Sequence, residues 1–432
     1  MQITKSNKKI SRFLLFQIIL IGLLYSAAAV FGFIEAEFFN TYLDHVLELN
    51  VAVAVPIMVN LSAVMGLVMN LCLGILSDNT RTRFGRRKPY LISGGLIAGT
   101  FMFLFAYSPN FFICIIIDVI IIGIASNAFY VAQRALIPDV VEIEKRGRAN
   151  GIAWIFFIFG MVFSLALFLI LNEFFGTSTE DGVIIRQEGY VFALGIGGIF
   201  TIITSLIGFF FIKEKKPHEL PPKRSFFKDF KDIFNIEELR ENKDFYKLVI
   251  AMTIFNSGIA VIQPFLFIYI FSLGFATTDL LLILGIAMPF LLIIIYLLGQ
   301  LADKYGRKKF IIPTILLACI GFYILPFLNP SNILSIPFYI IGFLCVLINI
   351  FALLTPLNAL SQDLLPEDKR GKFLGILNII QTISQNIGVS IGGLAIAFLG
   401  DVVWIFAIAP IFFILSIPIF LKVKETLPSI DQ

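Results

Sequence analysis

Gly74-Ile-Leu-Ser-Asp78, followed after a short gap by Gly85-Arg86-Arg87-Lys88, returns later in the chain as Gly299-Gln-Leu-Ala-Asp303 with Gly306-Arg307-Lys308-Lys309. The two aspartates stand 225 residues apart. A second pair of stretches keeps almost the same step. Pro138-Asp139-Val-Val-Glu142 leading to Lys145-Arg146-Gly147 is echoed by Asp363, Pro366, Glu367 and Lys369-Arg370-Gly371, and both Asp139 to Asp363 and Arg146 to Arg370 span 224 residues. Loops that recur at a fixed interval near half the chain length mark two copies of one structural unit.

The residues between these loops are apolar. Of the 432 residues 58% are hydrophobic and 14% charged, against roughly 45 to 50% apolar in soluble domains. The charges cluster between long apolar runs, which excludes a soluble enzyme, a disordered protein and a nucleic-acid binder. Runs near 13–36, 51–76, 89–108, 111–132, 151–171 and 190–212, then 246–271, 276–300, 310–328, 333–355, 373–399 and 402–421, are each long enough to cross a bilayer. The first is too long for a secretory leader and reads as a span. Twelve spans place both termini on one side, and 32 of the 33 Lys and Arg then fall on that side, Arg186 alone lying opposite. By the positive-inside rule that side is the cytoplasm. The expected fold is an all-α membrane protein of two parallel six-helix repeats: an N-terminal bundle (1–212), a cytoplasmic linker (213–245) and a C-terminal bundle (246–432). Within the linker Phe226, Phe227, Phe230, Ile233 and Phe234 recur at the spacing of a helix lying on the inner leaflet. Cys72, Cys114, Cys319 and Cys345 all sit in apolar runs, which points neither to a disulfide framework nor to a thiolate metal site.

The doubled loop motif, Gly-x-x-x-Asp then Gly-Arg-Arg or Gly-Arg-Lys, resembles the hallmark of the major facilitator superfamily. The longer first copy, Asp78-Asn-Thr-Arg-Thr-Arg-Phe-Gly85-Arg-Arg-Lys-Pro89, and Arg134-Ala-Leu-Ile-Pro-Asp139 resemble the glycoside-pentoside-hexuronide and sucrose-transporter branch. Where the sucrose-type pattern has an acid eleven residues before the arginine, this chain has Gly123; Asn127 does match. The resemblance implies a secondary transporter working by alternating access, with a sugar or glycoside as cargo. It also implies a cytoplasmic lock made of Gly74, Asp78, Gly85, Arg86, Asp139 and Arg146 in the first half, and of Gly299, Asp303, Gly306, Arg307, Asp363 and Arg370 in the second. Guanidinium groups at Arg86 and Arg307 have the geometry to bridge to Asp139 and Asp363. Acid in a positive inner loop does nothing for orientation, so Asp78 and Asp303 call for such a role, whereas Lys88 and Lys309 need only set topology.

Uphill transport couples cargo to an ion, and ionisable groups at membrane depth are the natural carriers. Asp118, seven residues inside the fourth span, is the first candidate for a proton or cation site; Glu37 and Glu35, near the outer end of the first span and on opposite faces, are the others. Asn127, Tyr130 and Arg134 share one face of the fourth span and are candidates for the substrate cavity; in a straight helix Asp118 lies half a turn from that face, so all four are not expected to line one narrow site. For the cargo, Asn378, Gln381 and Gln385 form an amide stripe on the eleventh span, suited to sugar hydroxyls. Subtracting the repeat interval of 224 from these positions lands on Trp154, Phe157 and Met161, an aromatic wall on which a sugar ring could stack. Asn40, Asn256 and Gln263 are weaker candidates for the same cavity, helix packing being the plainer role for the last two.

Gly388-Val-Ser390-Ile-Gly392 has the form of a hydrolase nucleophile elbow, but it lies within a span, and His45 and His218 fall in loops on opposite faces, so close helix packing explains it better. No metal site, cofactor or phosphate loop is expected. The expected partners are a small solute, a proton or other cation and the bilayer of the cell membrane. Nucleic acid is excluded and a monomer is expected. A drug or metabolite exporter of the same superfamily, and more remotely a channel, are the competing readings.

Overall fold

The computed structural model describes residues 11–142, 145–179, 182–214, 243–306, 308–328, 335–353, 357, 360, 364 and 370–425. Among them eleven helices are long and apolar enough to cross a membrane: Arg12–His45, Val51–Asn79, Lys88–Phe105, Phe111–Val140, Ala149–Phe175, Gln187–Phe211, Lys243–Ser272, Thr277–Ile295, Lys308–Phe327, Ile379–Leu399 and Val402–Leu421. A shorter apolar helix, Ile336–Phe351, stands in the place of the tenth span and completes two sets of six. The amphipathic stretch read at Phe226–Phe234 lies outside the described residues.

Two features depart from uniform α-helix. Four spans change to a π-helical turn over Ile34–Phe38, Ile116–Ile122, Leu171–Phe175 and Ile348–Ala352. Each of these segments carries a polar residue of its span: Glu35 and Glu37, Asp118, Asn172, and Asn349. A π turn fits one more residue into the helix and loosens the backbone bonds, which is why such turns gather at functional positions. The seventh span breaks instead, at Gln263–Phe265, where Pro264 has no N–H to continue the ladder. Outside the spans, a two-stranded antiparallel hairpin, β1 (Gly176–Thr179) and β2 (Gly182–Ile185), pairs Gly176 with Ile185.

The chain forms two compact units. Unit 1 comprises Met1–Glu35, Val68–Phe168 and Tyr190–Phe226. Unit 2 comprises Ala36–Leu67, Leu169–Gly189 and Phe227–Gln432, so it contains segments from both sides of the 213–245 linker. In unit 1 the third span packs against the fourth and, at its glycines, against the sixth. A Cβ on Gly99 would stand 2.5 Å from the Gly198 carbonyl oxygen, and one on Gly94 the same distance from that of Ala125. Apolar lipid offers little reward for burying side chains between helices, so close backbone approach through small residues carries the association. Gly99→Ala must push these backbones apart and should cost about 1–3 kcal/mol, read as a lower unfolding midpoint in detergent. Unit 2 uses the same device. Gly388 and Gly392 of the eleventh span lie against the carbonyls of Ser257 and Val261 on the seventh, which gives the nucleophile-elbow lookalike its packing role.

Candidate functional site

The loop between the second and third spans is organised by its charges. Gly85 adopts φ +121°, a backbone that glycine tolerates and other residues resist. The turn lets Arg86 and Arg87 point back into unit 1. Arg86 bridges to Asp139 through its Nη2 and, at 3.1 Å, through Nε. Arg87, only 5% exposed, is the deeper of the two. It donates to Asp139 Oδ2 at 3.0 Å, to Ser77 Oγ at 2.8 Å and to Asp78 Oδ1. The Glu214 carboxylate, just past the sixth span, accepts the backbone N–H groups of Arg86 (2.8 Å), Arg87 (3.0 Å) and Lys88 (2.8 Å), covering the start of the third span. Arg146 donates to the carbonyls of Pro138 and Val141 at 2.7 and 3.1 Å, covering the end of the fourth. Gly74 has open space where a Cβ would stand.

Unit 2 repeats part of this arrangement. Gly306 also has positive φ, +103°. Glu425, just past the twelfth span, accepts the Lys308 N–H at 2.8 Å. Gly299 and Asp303 fall in the helix Thr277–Tyr305, and Arg370 opens the helix Arg370–Leu399. Arg307 and Asp363 lie outside the described residues, as do the side chains of Asp303, Arg370 and Asn378. Arg87, Ser77, Glu214 and Glu425 escaped the sequence reading. The two glutamates do have a signal, a Lys-Glu pair after the sixth and twelfth spans, but they stand 211 residues apart and so fall out of register with the other repeats.

Deeper in unit 1 lies a cluster of ionisable groups. Asp118 is 2% exposed within the π segment of the fourth span. Glu35 lies within electrostatic reach of it, and Tyr130 within reach of Glu35 and Arg134. The Arg134 guanidinium sits 5.7 Å from the Tyr130 ring centre, and the Tyr130 hydroxyl reaches the Ala28 carbonyl at 3.4 Å. The straight-helix expectation kept Asp118 half a turn from this face. The π segment holds back the rotation by about one residue, roughly 100°, which narrows that separation to about a quarter turn. Asn127 donates to the Gly123 carbonyl and accepts from Asn70, both at 2.7 Å. Trp154 is 56% exposed, with its ring centre 5.0 Å from that of Phe157.

Glu37 belongs to unit 2. The first span runs on to His45, about two turns beyond the sequence boundary at 36, so Glu35 and Glu37 are interior residues of the helix and not an outer rim. Glu37 is hydrogen-bonded by the backbone of Phe267, just past the break in the seventh span. Asn40 donates to the carbonyls of Ala36 at 2.6 Å and Pro264 at 3.2 Å. Further contacts tie segments of the early spans into the same unit. Asn60 donates to Ser390 Oγ at 2.8 Å, Asn172 to Thr277 Oγ1 at 3.0 Å, and the Ile185 N–H of β2 to His45 Nδ1 at 3.3 Å. Gln263, Gln381 and Gln385 are exposed and Asn256 half-buried, on two spans that pack together.

Doubled loops, paired positive-φ glycines and twelve apolar helices are matched by a family description that covers residues 18–388 and 290–431, Major Facilitator Superfamily. The chain belongs to the major facilitator superfamily. It is therefore a multi-pass membrane transporter. One relative, "Putative glycoside/cation symporter YagG" of Escherichia coli (strain K12), is 26% identical over 351 residues, 78% of this chain and 72% of that protein. The superfamily fold is shared with a crystal structure of a bacterial homologue of the human lysosomal transporter Spinster, at TM-score 0.69 and 15% identity over 96% of this chain and 99% of that one. It is shared equally with a D-xylose-proton symporter, at TM-score 0.64 and 17% identity over 96% and 98%.

Proposed function

We propose that this transporter carries a sugar or glycoside together with a proton or another small cation, by alternating access across the cell membrane with both termini cytoplasmic. The observation that carries the reading is the buried acid cluster of unit 1, in a chain related over most of its length to a protein named for glycoside/cation symport. Two carboxyls at membrane depth, within electrostatic reach of each other and of a tyrosine and an arginine, form a group that a cation completes and an incoming solute can disturb. Asp118 and Glu35 take the cation, and Arg134 supplies the competing positive charge when they are empty.

The cargo is assigned to neutral polar groups. Exposed glutamine amides at Gln263, Gln381 and Gln385 suit hydroxyls because each amide both donates and accepts. The Arg86–Arg87–Asp139 network and its counterpart around Lys308 and Glu425 serve the cytoplasmic lock, each holding the ends of its own helices in register while the molecule switches state.

The test is uptake of labelled mono- and disaccharides into proteoliposomes, with and without inward proton and Na+ gradients. Accumulation of at least one sugar above its external concentration is expected only with a gradient. Failure of every sugar to enter through folded, inserted protein would remove the sugar reading, and competition by hydrophobic dyes would point to an exporter.

A further inference from the structure

The first span divides its two glutamates between the units, and the one in unit 2 has no place in the coupling scheme above. Glu37 is 6% exposed and Asn40 1%. They stand three residues apart, hence on one face of the helix as it leaves its π segment. The amide nitrogen of Asn40 is committed to the Ala36 and Pro264 carbonyls, which fixes the amide orientation. Among the described residues its oxygen Oδ1 then meets no donor, and neither does Glu37 Oε2. Two buried acceptors on one helix face, one able to carry a full negative charge, cost free energy unless something positive meets them.

We propose that Glu37 and Asn40 hold a small monovalent cation, a proton or Na+, and that its binding fastens the outer part of the first span to the broken seventh span. A proton on Glu37 turns Oε2 into a donor; Na+ would take the same oxygens as ligands, as hard cations do. The segment of the seventh span that meets them, Gln263–Ser272, carries Tyr269 as its sole titratable side chain. Strand β2, which reaches His45, has none. On the first span itself the nearest titratable groups are Glu35 on one side and Tyr42, Asp44 and His45 on the other, the last two with side chains 3.9 Å apart. No lysine or arginine on these segments stands ready to neutralise Glu37. The inference rests on the transporter reading for its purpose, closing one side of the membrane, but not on Asp118 or Glu35 being the coupling pair.

Hydrogen exchange across residues 263–272 reads the fastening directly, and unfolding midpoints in detergent read the binding. Wild type, Asp118→Asn and Glu37→Gln are compared in NaCl against choline chloride at fixed pH, then across a pH series. If the cation is Na+, wild type and Asp118→Asn show slower exchange and a raised midpoint in NaCl, and Glu37→Gln loses both. If it is a proton, Na+ has no effect, while acidification raises the midpoint of wild type and Asp118→Asn but not of Glu37→Gln. Identical salt and pH responses in wild type and Glu37→Gln would mean that a neutral water fills the gap, and would overturn the proposal. So would a cation response lost in Asp118→Asn and kept in Glu37→Gln, which would place the ion in the unit 1 cluster. If Glu37→Gln does not fold, Asn40→Ala carries the same comparison.

Discussion

With Asp118 changed to Asn, gradient-driven accumulation of substrate should collapse to simple equilibration, while exchange of substrate across the membrane persists. The expected loss follows from what one coupled charge can do. A proton moving down a gradient of one pH unit releases about 1.4 kcal/mol, roughly a tenfold accumulation. A charge moving down 100 mV releases about 2.3 kcal/mol, roughly fiftyfold. Asparagine keeps the size of the side chain and its place in the π segment but neither binds a proton nor carries charge, so a carrier that depends on Asp118 loses the whole factor. Glu35→Gln should lose less, because Glu35 is only half-buried and Asp118 remains as the inner carboxyl. The check is accumulation and counterflow measured side by side in proteoliposomes. Full accumulation by the Asp118→Asn, Glu35→Gln double variant would place coupling elsewhere.

How far these sites could be read in advance depended on which physical signal they rest on. Spans are long-range averages of hydropathy, and the loops on one side are marked by lysine and arginine, so fold and repeat were visible without coordinates. Span ends were less so. Glu35, Glu37 and Asn40 look like the rim of the first span, and the helix nevertheless continues to His45, with Glu37 and Asn40 packed inside the protein. Angular placement failed for a different reason. Assigning faces at 100° per residue assumes an unbroken α-helix, and the π segments at Ile34–Phe38 and Ile116–Ile122 break that assumption at the very carboxylates in question. Nothing in Ile-Ile-Asp-Val-Ile-Ile-Ile announces a π turn.

The largest effect on stability is expected from Asp139→Ala, about 3–5 kcal/mol, the cost of breaking a buried ion pair by removing one partner. Exposure sets the size of the effect. Asp139 has a side chain 13% exposed and faces two guanidinium groups, 14% exposed at Arg86 and 6% at Arg87. Taking away its carboxylate leaves two adjacent buried cations with only Asp78 and Ser77 to share. Asp78 is the better known kind of surface acid, 57% exposed, and Asp78→Ala should cost below about 1 kcal/mol. Arg87→Ala should fall between, because Arg86 still satisfies Asp139. Unfolding midpoints of the three variants in detergent order them directly: Asp139→Ala lowest, Arg87→Ala next, Asp78→Ala close to wild type. A transport defect in Asp78→Ala at near-normal stability would then belong to switching and not to folding. If Asp78→Ala instead destabilises as much as Asp139→Ala, the arginines depend on the exposed acid, and the buried pair is not what holds this loop.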